Sequence, residues 1–250
     1  MRFFKKYAAS TLLVVCLLLF WEVGARFVNM GFILPTPSEI ILKLWELKKP
    51  LFTIHLPATL LIIVIGLMIS IVFGVGLAVW MSVSKTVERT FYPLIITSQM
   101  IPMIALAPIF VLWFGYSIWS KIVVTVLITF FPLTVNTFDG LRSTSKEYKE
   151  LLLTMGASKR DIFFKLQVPA SAPHFFSGLK VAVTLSVIGA AIGEWIGAQA
   201  GLGYFSRRMM TQFDGAGVFA PIALLSVVGI ILFILVVWLE KRTLKWRKTE

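Results

Sequence analysis

One cysteine, Cys16, and two histidines are all that 250 residues provide of the soft and imidazole ligands. A single cysteine excludes an internal disulfide and leaves the redox compartment open. His55 and His174 have no Cys, Asp or Glu at metal-ligand spacing, so no metal site is expected. There is no G-x-x-x-x-G-K-[ST] phosphate loop, and no polar segment is long enough to hold a nucleotide-binding fold. No catalytic constellation stands out, and small-residue pairs such as Ser177 with Gly178 are too generic to mark a nucleophile. Charge is scarce as well: 14% of residues are Asp, Glu, Lys or Arg, against 58% hydrophobic residues. With a mean hydropathy of +0.89, the chain has too little polar surface to cover a soluble core.

What is present is hydrocarbon in long runs. Six spans are expected, at about 8–27, within 56–83, within 91–115, at about 122–138, at about 176–196 and at 217–239. Each covers about 30 Å of hydrocarbon at about 1.5 Å per residue, and strands of that reach would be half as long with alternating polarity. The expected class is therefore all-α, a polytopic membrane protein. The first run follows the basic "RFFKK", as a signal peptide would. "WEVGARF" offers no A-x-A cleavage site, which favours a retained anchor.

The net charge of +12 comes from short Lys and Arg clusters between apolar runs, a pattern that sets topology and meets lipid headgroups and does not point to nucleic acid. A cytoplasmic N-terminus collects on that side Arg2, Lys5, Lys6, Lys85, Arg89, Arg142, Lys146, Lys149, Lys159, Arg160, Lys165, Lys241, Arg242, Lys245, Arg247 and Lys248. The other side receives chiefly Lys43, Lys48, Lys49, Arg207 and Arg208. The positive-inside rule then puts both termini in the cytoplasm. Three units follow: an anchor and outer segment at 1–55, a core at 56–240 with a cytoplasmic loop at about 139–175, and a basic tail at 241–250.

The loop holds a polar island, "EYKELLLTMGASKRDIFFKLQVPA". Leu151, Leu152, Met155, Ile162, Phe163 and Leu166 recur at near-helical spacing among charged residues, as in an amphipathic helix. Gly156 suits the left-handed turn that ends a first helix, and Ser158 with Asp161 reads as the capping box that starts a second. Pro169 is expected to stop that second helix, because the residue before proline avoids the α region. The resulting object is either an interfacial helix resting in headgroups or a knob that docks on a cytoplasmic partner.

Within the membrane, Glu22 and Glu194 are the costly residues, and each is a candidate for a water-filled path or a structural hydrogen bond. Glu194 precedes a stretch rich in small residues, 193–203, which suggests a bent segment at an outer vestibule. Pro102 and Pro108 should kink the third span, placing Ser98 and Gln99 near freed carbonyls that either line the same path or merely pack. Trp80, Trp113, Trp119, Trp195 and Trp238 fit an interfacial aromatic belt. An ion-gradient transporter or channel is the rival class, although no clear repeat relates the halves and no carboxylate cluster marks the midplane.

The spacing Glu150, Leu151, Leu152, three residues, Gly156, nine residues, Leu166, Gln167, Val168, Pro169 resembles the E-A-A-x3-G-x9-I-x-L-P loop of ABC importer permeases. Leucine replaces both alanines and the isoleucine, and valine the later leucine. "LPTPSEI", "IPMIALAPIFVLWFG", "GLR", "PASAPHFFSGLK" and "GEWIGAQAGLGY" extend the likeness to nearly the whole chain, within the subfamily serving nitrate, taurine, aliphatic sulfonates and thiamine pyrimidine precursors. The resemblance implies a type I permease fold in a prokaryotic inner membrane. It implies two ATPase subunits carrying ATP and Mg²⁺, a second permease subunit, and an extracytoplasmic solute-binding protein. Three spans per half are few for a pathway within one chain, so a symmetric pair of this chain is expected. The loop residues that would meet the ATPase are Glu150, Leu151, Leu152, Gly156, Ala157, Ser158, Asp161, Leu166 and Pro169. "GEWIGAQAGLGY" points within the subfamily to a thiamine pyrimidine precursor.

Overall fold

Uncharged runs that satisfy their own backbone hydrogen bonds set the architecture, and the computed structural model, which describes residues 2–28 and 30–245, has helices joined by short turns as the regular structure among those residues. Arg247 and Lys248 of the basic tail lie outside them. Helix α1 (Arg2–Val28) leads to α2 (Pro37–Glu46) and the short α3 (Lys48–Pro50). A π-helical turn, Leu51–His55, continues α3 into α4 (Leu56–Val83). Helices α5 (Lys85–Ser98) and α6 (Met103–Phe114) form a bent pair, followed by α7 (Ile118–Arg142) and α8 (Lys146–Thr154). Helix α9 (Lys159–Ile162), a second π-helical turn at Phe163–Gln167 and α10 (Val168–Gly197) are continuous. Helices α11 (Leu202–Thr211) and α12 (Gly215–Thr243) complete the described chain.

Five of these helical stretches are long and apolar enough to cross a membrane: Ala8–Val28, Lys48–Val83, Ile118–Arg142, Lys159–Gly197 and Gly215–Thr243. The region expected as a kinked third span is broken outright, since α5 and α6 meet at 100°. Pro102 accounts for much of this. Its ring pushes Ile101 out of the α region and it brings no backbone donor to α5, Pro102 itself takes an extended ψ of 109° ahead of Met103, and 99–102 become an exposed turn. Pro108, expected to add a kink, sits inside α6.

The centre of the bundle is α7, which packs most extensively on α10 and next on α4. Close approach relies on absent side chains: a Cβ on Gly178 would lie 2.7 Å from the Pro132 carbonyl oxygen, and one on Gly66 would lie 2.7 Å from Thr125 Cγ2. The hydroxyls inside this seam bond to their own helix or across it. Thr125 donates to the Lys121 carbonyl (3.0 Å), Thr134 to that of Phe130 (2.8 Å), and Thr129 shares a 2.7 Å bond with Ser70. Lys180 and Glu240 pair at 2.9 Å between α10 and α12, half-buried. By contrast, little of the α1 span is buried, and its end is held where Glu22 accepts from Arg26 (Nε, 2.8 Å), from the Ser38 amide (3.1 Å) and from the Ser38 hydroxyl (2.8 Å).

Pro169 does not stop a helix. Val168 stays helical (φ −62°, ψ −49°), its amide reaches Phe163 O in the wider π register, and proline falls in the first turn of α10. The π turn shifts the ladder so that the missing proline donor falls where a new first turn needs none.

Candidate functional site: the capped helical corner and a buried carboxylate node

Helix α8 ends because Gly156 adopts φ 82°, a region in which a side chain crowds its own carbonyl. Two bonds close the turn: Ala157 N–H donates to Leu152 O at 2.9 Å and Gly156 N–H to Leu153 O at 3.0 Å, the paired bonds of a Schellman motif. Two residues on, Ser158 restarts the chain. Its hydroxyl accepts from Asp161 N–H at 3.1 Å while the Asp161 carboxylate accepts from Ser158 N–H at 3.2 Å. Lys165 adds an ion pair to Asp161 at 2.7 Å. Ahead of α8, a hydrogen bond from Ser145 holds the Glu147 carboxyl below the usual range.

This corner is anchored at one side and open at the other. Ile162 is buried, Leu152 and Leu166 are half-buried, and Gln167 Nε2 donates to Leu141 O at 3.1 Å, tying the loop to the end of α7. Arg142 at that end pairs with Glu88 of α5. Tyr148 and Leu151 on α8 and Met155 at its C-cap, at helical spacing, are 62, 55 and 74% exposed, so the described residues do not cover this apolar stripe. Glu150 is exposed beside it, Ala157 is half-buried, and Pro169 is exposed.

The second constellation lies at the opposite ends of α4 and α10. Glu194 is fully buried. Thr59 Oγ1 donates to its Oε1 at 2.7 Å, and Gly203 N–H donates to its Oε2 at 2.7 Å. Thr59 Oγ1 in turn accepts from Leu202 N–H at 2.8 Å, and His55 Nδ1 accepts from Gly201 N–H at 3.1 Å. Gly201 (φ 125°) wraps so tightly over the carboxyl that a Cβ there would lie 2.2 Å from Glu194 Cδ. Glu194, expected either at a vestibule or in a structural hydrogen bond, is placed inside a clamp that fixes the turn from α10 into α11. Beside it, α6, α10, α11 and α12 frame an apolar groove of about 660 Å³, lined among others by Ile104, Ile188, Trp195, Gly203, Ile222 and Phe233.

The remaining candidates are not brought into this node. Glu22 serves the α1–α2 junction. Ser98 is half-buried and donates to Ile95 O at 2.7 Å, while Gln99 and Pro102 sit in the exposed turn between α5 and α6. His55 and Thr59 were not singled out as site residues from the sequence. Their spacing of one helical turn at the start of an apolar run, with "GLG" far downstream, is the signal that was available.

A bundle of long apolar helices, interrupted by a capped, exposed helical corner, defines a multi-pass membrane protein of the permease class. The chain belongs to the family described as binding-protein-dependent transport system inner membrane component, whose pattern matches residues 70–245. It is therefore an ABC transporter permease of the inner membrane. A formylaminopyrimidine transport permease protein, ThiX, of Halalkalibacterium halodurans is 58% identical over 240 residues, 96% of each chain. The riboflavin transport system permease protein RibX of Chloroflexus aurantiacus is 30% identical over 93% of this chain and 88% of its own. A putative aliphatic sulfonates transport permease protein, SsuC, of Bacillus subtilis is 30% identical over 98% of this chain and 90% of its own.

Proposed function

We propose that the chain is the membrane subunit of an ATP-driven importer for a thiamine pyrimidine precursor of the formylaminopyrimidine kind. The observation that carries the substrate is the 58% identity to a formylaminopyrimidine permease across 96% of both chains. The working unit is two copies of this chain, two ATPase subunits holding ATP and Mg²⁺, and an extracytoplasmic binding protein that delivers the solute. The broken α5–α6 pair is the third of six spans, and both termini are cytoplasmic.

In this reading the exposed stripe of Tyr148, Leu151 and Met155, with Glu150 beside it, seats in a cleft of the ATPase. Movement of the ATPase reaches the membrane by the shortest rigid route, because α9, the π turn and α10 are one continuous helix. Gln167 and the Arg142–Glu88 pair carry the same displacement to α7 and α5. The second copy closes the pathway along the face of α10 and α12.

The test is uptake in cells stripped of their own pyrimidine transport and given this chain with its ATPase and binding protein. Labelled formylaminopyrimidine is expected to enter, to stop when ATP is depleted, and to continue when the proton gradient is collapsed. Entry of sulfonate, taurine or nitrate in its place would remove the substrate assignment; dependence on the proton gradient would remove the ATP-driven mechanism.

The capping box gives a smaller, local expectation. Ser158→Ala should cost about 1 kcal/mol of helix-start stability, so the Asp161 amide exchanges roughly fivefold faster in deuterium while α10 amides are unchanged.

A further inference from the structure

The short helices between α1 and α4 leave a second apolar stripe uncovered, far from the ATPase loop in sequence and at the other end of α4. Helix α2 starts at a capping box in which Glu39 N–H donates to Thr36 Oγ1 at 3.2 Å. It buries Ile40, packs on α12, and is pinned by Lys43 Nζ at 3.0 Å from Asp214. These contacts fix which side faces away. On that side Ile41, Leu42 and Trp45 are 69, 65 and 69% exposed, and Phe52 continues the stripe.

Leu44, Trp45, Lys48, Lys49, Phe52 and Thr53 line a groove of about 600 Å³ along it. Lys48 Nζ stands 3.6 Å from the centroid of the Trp45 ring. Among the described residues, neither Lys48 nor Lys49 has an ion-pair partner, and both are exposed. The position of the groove is set by chain continuity: Lys48 and Lys49 open the apolar helical stretch Lys48–Val83, so the groove lies where that span meets the headgroups.

We propose that this groove binds an anionic phospholipid, with an acyl chain along Trp45 and Phe52 and the phosphate on the Lys48 and Lys49 ammonium groups. Helix α2 then lies in the plane of the interface, its apolar side in the acyl boundary. An amphipathic helix with tryptophan and lysine at its rim is built for that depth. Two cations without an ion-pair partner among the described residues, at a groove walled by Leu44, Trp45 and Phe52, match the two halves of an anionic lipid, and the bilayer supplies that molecule at the end of the adjoining span. A zwitterionic lipid would bring its own cation against Lys48 and Lys49, which is the basis of selectivity.

The experiment uses the full-length chain in nanodiscs of phosphatidylethanolamine with or without phosphatidylglycerol. In a Cys16→Ser background, an environment-sensitive fluorophore is attached at Ile41→Cys or, as the contrasting position, at Glu46→Cys. Lipids carrying a nitroxide high on the acyl chain should quench the probe at 41 and spare that at 46. Native mass spectrometry after detergent extraction should find phosphatidylglycerol retained over phosphatidylethanolamine. Retention should fall on the order of tenfold in Lys48→Gln/Lys49→Gln and return in Lys48→Arg/Lys49→Arg. A water-exposed, unquenched probe at 41 overturns the proposal, as does equal retention of the two lipids. Burial of the probe only when the extracytoplasmic binding protein is added would assign the stripe to that protein and overturn it equally.

Discussion

Replacing Gly156 with valine is expected to cut solute uptake at least tenfold while the chain remains folded in the membrane and its ATPase continues to hydrolyse ATP. A Cβ at this position would meet nothing within 4 Å, so the substitution does not fail by collision. It fails through the backbone: φ 82° costs a β-branched residue on the order of 1–3 kcal/mol, enough for the loop to abandon the Schellman turn. Once Ala157 N–H leaves Leu152 O, Ser158 no longer starts α9 at the same angle to α8. The apolar stripe on α8 and the continuous helix behind α9 then lose their fixed relation. Gly156→Asn supplies the control, since asparagine tolerates the left-handed region and should keep a substantial share of uptake. The readout is paired: uptake in vesicles loaded with ATP, and the stimulation of ATP hydrolysis by solute-loaded binding protein. Normal coupled uptake in the valine variant would show that the corner does not transmit the ATPase stroke.

How far such features could be read from sequence depends on the range of the physics behind them. The Gly156 turn and the Ser158–Asp161 box were legible because a cap is made by neighbours three residues apart, and the uncharged runs of α4 and α12 announce themselves by length alone. Prolines were read less well, because the rule that proline ends a helix is local and its remedy is not. At Pro169 a π turn one step earlier absorbs the missing donor, whereas at Pro102 nothing does and the helices part at 100°. The carboxylate node was the least legible element. Glu194 was singled out by its charge in an apolar run, but its partner Thr59 lies 135 positions away and His55 lies 146 positions from Gly201. No periodicity links such residues, and only the packing of α4, α10 and α11 does. The same packing explains why, of the two roles open to this glutamate, a vestibule or a structural hydrogen bond, the enclosed carboxylate makes the hydrogen bonds.

That enclosure yields the second large effect: Glu194→Ala should lower the thermal midpoint of the purified chain by about 5–10 °C, with Glu194→Gln close to the parent. Alanine strands the Gly203 amide, which has lost its 2.7 Å acceptor, and leaves a void where the carboxyl sat. The orphaned donor and the cavity together amount to roughly 3 kcal/mol. Thr59 is not stranded, because its hydroxyl already lies 3.2 Å from His55 O and can donate there. Glutamine restores most of what is lost: its carbonyl oxygen accepts from Gly203 N–H, and its amide donates to Thr59 Oγ1 while that hydroxyl turns to His55. Uptake separates this role from a place on the solute path. If the carboxyl acts only as the clamp that sets the α10 to α11 turn, the glutamine variant transports and the alanine variant does not, in step with their stabilities. If the carboxyl itself met the solute, the glutamine variant would lose uptake at an unchanged midpoint. Gly201→Ala bounds the effect from the other side, because its Cβ would stand 2.2 Å from Glu194 Cδ on a backbone at φ 125°. The clamp closes only over a residue with no side chain, and a Gly201→Ala chain with the parent's midpoint would mean that the clamp is not formed.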